Sequence, residues 1–91
     1  MNTIDVALIC KALSDSNRLQ ILQLLTEGEL CACELLEHFK ITQPTLSHHM
    51  RVLSECELIQ NRKDGTKMFY SVNCETLTAF RNLIGELVCK K

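Results

Sequence analysis

Apolar residues recur with helical period along most of the chain, and only one stretch alternates as a strand would. Residues 3–14 carry Ile4, Val6, Ala7, Leu8, Ile9 and Leu13. A helix there is apolar nearly all round and needs cover on two sides. Asp15 or Ser16 suits the N-cap of a second helix, about 17–26, with Leu19, Ile21, Leu22, Leu24 and Leu25 inside and Gly28 at its end. A short third helix over roughly 32–39 buries Leu35, Leu36 and Phe39. Thr42 caps a fourth, with Pro44 in the first turn, where its missing N–H costs nothing. Leu46, Met50 and Leu53, and more laterally Cys56, form its inward stripe.

The period then changes. LIQNR and KMFYSV flank KDGT, and Asp64-Gly65 signals a hairpin. Asn73 caps a fifth helix, about 74–89, with Leu77, Phe80, Leu83, Ile84, Leu87 and Val88 on a wide apolar stripe. The expected fold is mainly α with a β-hairpin wing, in the order α-α-α-α-β-β-α. No linker, repeat or low-complexity segment interrupts it, so residues 1–91 read as one domain. The surplus apolar surface of helices 3–14 and 74–89 points to a second copy of the chain as cover.

Two short helices joined by a tight turn, the second polar at its N-terminal end, make a helix-turn-helix. The charged hairpin directly after it makes a wing. The second helix of such a unit lies in the major groove of DNA and reads bases with its early residues. Here those are Gln43, Thr45, Ser47 and His48. An amide side chain bonds adenine in bidentate fashion, and hydroxyls read several bases. Arg51 is placed for a phosphate, and the wing offers Arg62, Lys63 and Lys67. His49 falls on the inner side and reads as a packed, hydrogen-bonded histidine.

The net charge of −1 is unusual for a DNA-binding chain, but its distribution is not. Lys40 to Lys67 holds five basic and three acidic residues, and the rest of the chain five basic and eight acidic ones. Positive potential is thus local to the helix-turn-helix and wing. The longest apolar run, VALIC, is far short of the roughly 18 residues that span a bilayer. With no secretory leader visible, a cytoplasmic protein with no membrane partner is expected.

In that compartment the six cysteines are expected to be reduced thiols rather than a disulfide framework. Cys10 and Cys56 lie in apolar helical stretches and read as small hydrophobes, and Cys74 and Cys89 flank the last helix. Cys31 and Cys33 stand apart, two positions from one another in ELCACELLEHF. Thiolates are soft ligands that select thiophilic ions. No base–orienter arrangement surrounds them, so an enzyme is not expected.

ALSDSNRLQILQLL, ELCACELLEHF, TQPTLSHHMRVL and RKDGTKMFYSV together resemble the ArsR/SmtB family of winged helix-turn-helix repressors, over about residues 4–73. The match is best to the repressors of arsenical-resistance operons. That resemblance implies a homodimer paired through its first and last helices on an inverted-repeat operator in double-stranded DNA. It implies no required cofactor, with As(III) or Sb(III) as the inducer that releases DNA. The family's cysteine–x–cysteine motif for arsenical sensing falls on Cys31 and Cys33. Some relatives add a third cysteine three positions on, where this chain has Leu36, so a third ligand would come from elsewhere: Cys10 of either subunit, or a solvent or small thiol. The same build answering to Cd(II), Pb(II) or thiol oxidation is the alternative, although the last helix lacks the histidines of the zinc and cobalt sensors.

Residues two apart on a regular helix point about 200° from each other. In an extended or frayed segment they share a side, so gripping one ion is expected to distort the first turn of helix 32–39, and a direct disulfide between the two is expected to be strained.

Overall fold

The computed structural model describes residues 1–90, the side chain of Ile4 excepted. The element order is α1 (Thr3–Ala12), α2 (Ser16–Leu25), β1 (Leu30–Cys31), α3 (Ala32–Leu36), α4 (Gln43–Glu55), β2 (Ile59–Asp64), β3 (Lys67–Val72) and α5 (Cys74–Gly85). This is the expected winged helix-turn-helix with one strand added. β1 pairs antiparallel with β3, Leu30 opposite Tyr70 and Cys31 opposite Phe69, so the sheet runs β1-β3-β2. Two residues carry no readable period, which is why the sequence pattern does not reveal this strand.

Each helix start has a side chain for its orphan N–H groups. Asn2 and Asp5 form a capping box on α1, and Asp15 accepts from the N–H groups of Asn17 and Arg18 on α2. Thr42 Oγ1 accepts from Thr45 N–H on α4, and Asn73 from Thr76 N–H on α5. The cap of α3 is Cys31 itself. Its Sγ accepts from Glu34 N–H at 3.4 Å, and its own N–H donates to Glu34 Oε1 at 3.0 Å.

The C-terminus of α4 closes as a Schellman motif: Leu58 N–H donates to Leu53 C=O and Glu57 N–H to Ser54 C=O. Glu57 occupies the left-handed position, φ 65°, where glycine is the usual residue. In the hairpin, Gly65 (φ 63°) leads a two-residue turn between paired Asp64 and Lys67, matching the expected turn signal.

The core gathers Ile9, Ile21, Leu35, Leu46, Met50, Leu53 and Leu58, all essentially sealed from solvent. The inward stripe of α4 falls as its spacing predicts. Other boundaries shift. α1 ends at Ala12 rather than residue 14, α3 at Leu36 rather than 39, and α5 at Gly85 rather than 89. Glycine weakens a helix by about 1 kcal/mol relative to alanine, and beyond it Leu87 and Val88 find nothing to pack on within one chain: both are more than 70 % exposed. Leu19, expected inside, is exposed, and so is Leu8. No residue of α5 is buried. Among the described residues, no helix is long and apolar enough to cross a membrane.

Candidate DNA interface and thiol pair

Gln43, Thr45, Ser47, His48 and Arg51 all stand exposed on α4, opposite its buried stripe. Thr45 Oγ1 lies 3.0 Å from Thr42 Oγ1. Arg51 Nη2 lies 3.2 Å from His48 Nδ1. Arginine only donates, so Nδ1 accepts and the neutral ring carries its proton on Nε2. Arg51 also lies 4.0 Å from Glu55.

His49 points inward, as its position predicts. It is buried, and its Nδ1 lies 3.2 Å from Arg18 Nη1, while Arg18 Nε donates to the Ala12 carbonyl at 2.6 Å. Arg18 thus ties the end of α1 to the inner face of α4. Burial holds the His49 pKa below that of a free imidazole, with Arg18 and His48 adding to the effect and Asp15 opposing it.

On the wing, Lys63 and Lys67 are exposed on either side of the turn. Arg62 is differently placed. Its Nε and Nη2 donate to Glu29 Oε2 and Oε1 at 2.9 and 2.7 Å, and Nη1 lies 3.8 Å from Asp64. Its guanidinium also covers the Phe69 ring, 4.6 Å from the centroid. The Arg62 hydrogen bonds hold the Glu29 carboxyl below its ordinary pKa. All three Arg62 nitrogens face carboxylates, and the Glu29 partner, 33 residues distant, has no sequence signal.

Cys31 and Cys33 meet without any distortion of α3. Cys31 is extended (φ −82°, ψ 162°) and closes β1, while Cys33 sits in the first turn of the helix. The helical 200° separation does not apply, because only one of the two residues is helical. The structure pairs them as a disulfide, with Cα atoms 5.4 Å apart.

The two thiols differ in environment. Cys31 is 3 % exposed and Cys33 is open to solvent. Cys33 also lines a cavity of about 150 Å³ with Leu36, Gln43, Ser47, Met50 and Tyr70 among others. One side of that cavity is the thiol segment, and another is the start of α4 with Gln43, Leu46, Ser47 and Met50.

Cys10 is exposed on α1 rather than packed, and the described residues contain no group of three or more His, Cys, Asp or Glu side chains able to hold a metal ion. Cys56 is half-buried, donates to Leu53 C=O, and has its pKa raised by burial, in keeping with a packing role. Cys74 and Cys89 are exposed.

An exposed polar helix start, a supporting helix, a basic hairpin and a sealed core beneath them define a winged helix-turn-helix DNA-binding regulator. Residues 15–61 match the model of the bacterial regulatory protein arsR family. The arsenical resistance operon repressor of Staphylococcus aureus is 59 % identical over 69 residues, which is 76 % of this chain and 66 % of that protein. The chain thus spans about two thirds of that relative. A solved structure described as a possible transcriptional regulator for arsenical resistance superposes with TM-score 0.77 at 33 % identity, covering 84 % of this chain and 79 % of that one. A homodimeric winged helix-turn-helix DNA-binding domain from Mycobacterium bovis superposes with TM-score 0.75 at 29 % identity, covering 87 % and 74 %. The chain belongs to the arsR family, DNA-binding transcriptional regulators rather than enzymes.

Proposed function

We propose that this protein is the metalloid-responsive repressor of an arsenical-resistance operon, and that As(III) or Sb(III) bound by Cys31 and Cys33 releases it from DNA. The observation that carries this reading is the position of the thiol pair. The two sulfurs meet at the start of α3, and Cys33 shares a cavity with Gln43 and Ser47 of α4.

In the reduced protein an ion seated between the sulfurs must hold them farther apart than a direct bond does. Cys31 is tied to the β1–β3 ladder and Cys33 to the first turn of α3, so the displacement is shared between β1 and that turn. That turn borders the cavity against α4. An ion that binds the moved form better weakens DNA binding by the same factor. No resident cofactor is required.

DNA is bound by a homodimer covered through α1 and α5, where exposed Leu8 and Ile84, with Leu87 and Val88 just after α5, supply the apolar face. Recognition helices then enter successive major grooves about 34 Å apart on an inverted repeat. Gln43, Thr45, Ser47 and His48 read bases, and Arg51, Lys63 and Lys67 meet phosphate. The protein works in the cytoplasm. Cys10, from either subunit, is the candidate third ligand.

The pairing of Cys31 with Cys33 favours a second reading, release by thiol oxidation. One titration series separates the readings. An operator duplex selected from a random pool by the reduced protein is challenged with arsenite, antimonite, cadmium and peroxide in turn. Release by the first two at concentrations where the others leave the complex intact supports the proposal. Release by peroxide alone overturns it.

A further inference from the structure

Cys31, Phe69 and Arg62 lie in one row across the sheet, since Phe69 is opposite Cys31 on one side and opposite Arg62 on the other. Directly opposed residues of antiparallel strands share a face. The Arg62 guanidinium follows that face over the Phe69 ring and ends in a two-point grip on Glu29. Glu29 is two residues before Cys31, and residues two apart in extended chain lie on one side. The carboxylate that holds Arg62 is therefore carried by the same short segment that holds the inner thiol.

An exposed ion pair generally adds little to stability. This one differs in geometry, because both guanidinium edges are committed and a ring supports the plane from below. Paired donors and acceptors of this kind fix orientation as well as proximity. A shift of the Glu29–Cys31 segment draws the guanidinium with it and turns β2, which carries Lys63 next in the chain.

We propose that Glu29 and Arg62 are positioning residues that link the thiol pair to the wing, so that a change at Cys31 moves the basic hairpin as well as α4. This rests on the reading of Cys31 and Cys33 as the switch. Arg62 then acts through Glu29 and is not a phosphate ligand. The sensing site has two outputs, α3 against α4 and Glu29–Arg62 into the wing.

The test compares the full-length parent with Glu29→Gln and Arg62→Lys, which keep hydrogen-bonding capacity or charge but lose the grip. Amide NMR spectra are recorded on reduced protein, after addition of arsenite, and separately after oxidation of the thiol pair to the disulfide. In the parent, closing the pair by either route shifts amides of Cys31–Glu34 and of Arg62–Gly65. In both variants the first set still shifts and the second does not. Operator affinity with and without arsenite is measured alongside, as a ratio, because Glu29→Gln removes a negative charge and raises basal affinity. Couplings of this kind are about 5- to 150-fold, and that ratio drops severalfold in both variants. Wing shifts equal to the parent's in the variants would overturn the proposal and leave the β1–β3 ladder as the carrier. Arsenite that moves no amide near Cys31 in the parent would defeat the metalloid reading instead, and the oxidation arm would still decide the role of Glu29 and Arg62.

Discussion

Replacing Cys31 by alanine removes the atom that caps α3, and the size of the effect follows from its surroundings. Glu34 N–H loses its Sγ acceptor. Loss of an N-cap costs about 0.5–2 kcal/mol, and a sulfur at 3.4 Å is a weak acceptor, which places this case near the low end. The site is 3 % exposed, so deleting a group of roughly methylene size adds about 0.8 kcal/mol. Together these give about 1.5 kcal/mol, or about 6–12 °C in the melting temperature of a domain this small. Cys31→Ser is expected to stay within about 0.5 kcal/mol of the parent, since the hydroxyl is the better cap and offsets the lost apolar burial. Cys33→Ala, at an exposed position without a capping role, also stays within about 0.5 kcal/mol. Thermal unfolding followed by circular dichroism, under reducing conditions and at one chain concentration, ranks the three. A Cys31→Ser protein as unstable as Cys31→Ala, or an alanine variant that melts with the parent, would refute the capping argument.

Further outcomes follow from other parts of the interface and core. Gln43→Ala and His48→Ala are expected to narrow the gap between operator and random DNA by roughly 1–3 kcal/mol where the lost contact is bidentate. Lys63→Ala and Lys67→Ala instead weaken both DNAs alike and lower the salt slope by about one unit per phosphate contact, measured by anisotropy across a salt series. His49 has its pKa lowered by burial, so below about pH 6.5 the unfolded chain takes up a proton that the folded chain resists. Denaturant titrations should therefore show stability falling as pH drops from about 6.5 toward the lowered folded value, and the fall shrinking in His49→Gln. Glu57→Gly relieves a left-handed residue at the end of α4 and is expected to stabilise by about 1 kcal/mol, read as a higher melting temperature at fixed chain concentration.

The helix-turn-helix was legible because local and tertiary signals agree there. Thr42 and Pro44 start α4 by backbone chemistry, and Leu46, Met50 and Leu53 orient it by burial, so the exposed set Gln43, Thr45, Ser47 and His48 follows by elimination. His49 was placed inside by the same wheel. What escaped the sequence depends on partners far along the chain. β1 exists because Leu30 and Cys31 meet Tyr70 and Phe69, and two residues have no period of their own. That strand makes Cys31 extended, buried and a helix cap, none of which the spacing of the two cysteines reveals. The engagement of Arg62 by Glu29 is equally long-range. The end of α5 differs because the apolar stripe continues past Gly85 to Leu87 and Val88, while the helix stops at the glycine.

Release of operator DNA by arsenite is expected to need both thiols, and anisotropy of a labelled operator duplex measures this directly. Reduced parent protein and the Cys31→Ser, Cys33→Ser double variant are titrated with arsenite at equal, saturating occupancy of the duplex. The parent is predicted to lose affinity by about 5- to 150-fold, and the double variant, which folds and binds DNA as the parent does, to remain bound throughout. Release of the double variant at the same arsenite concentration as the parent would contradict the assignment of Cys31 and Cys33 as the sensing site.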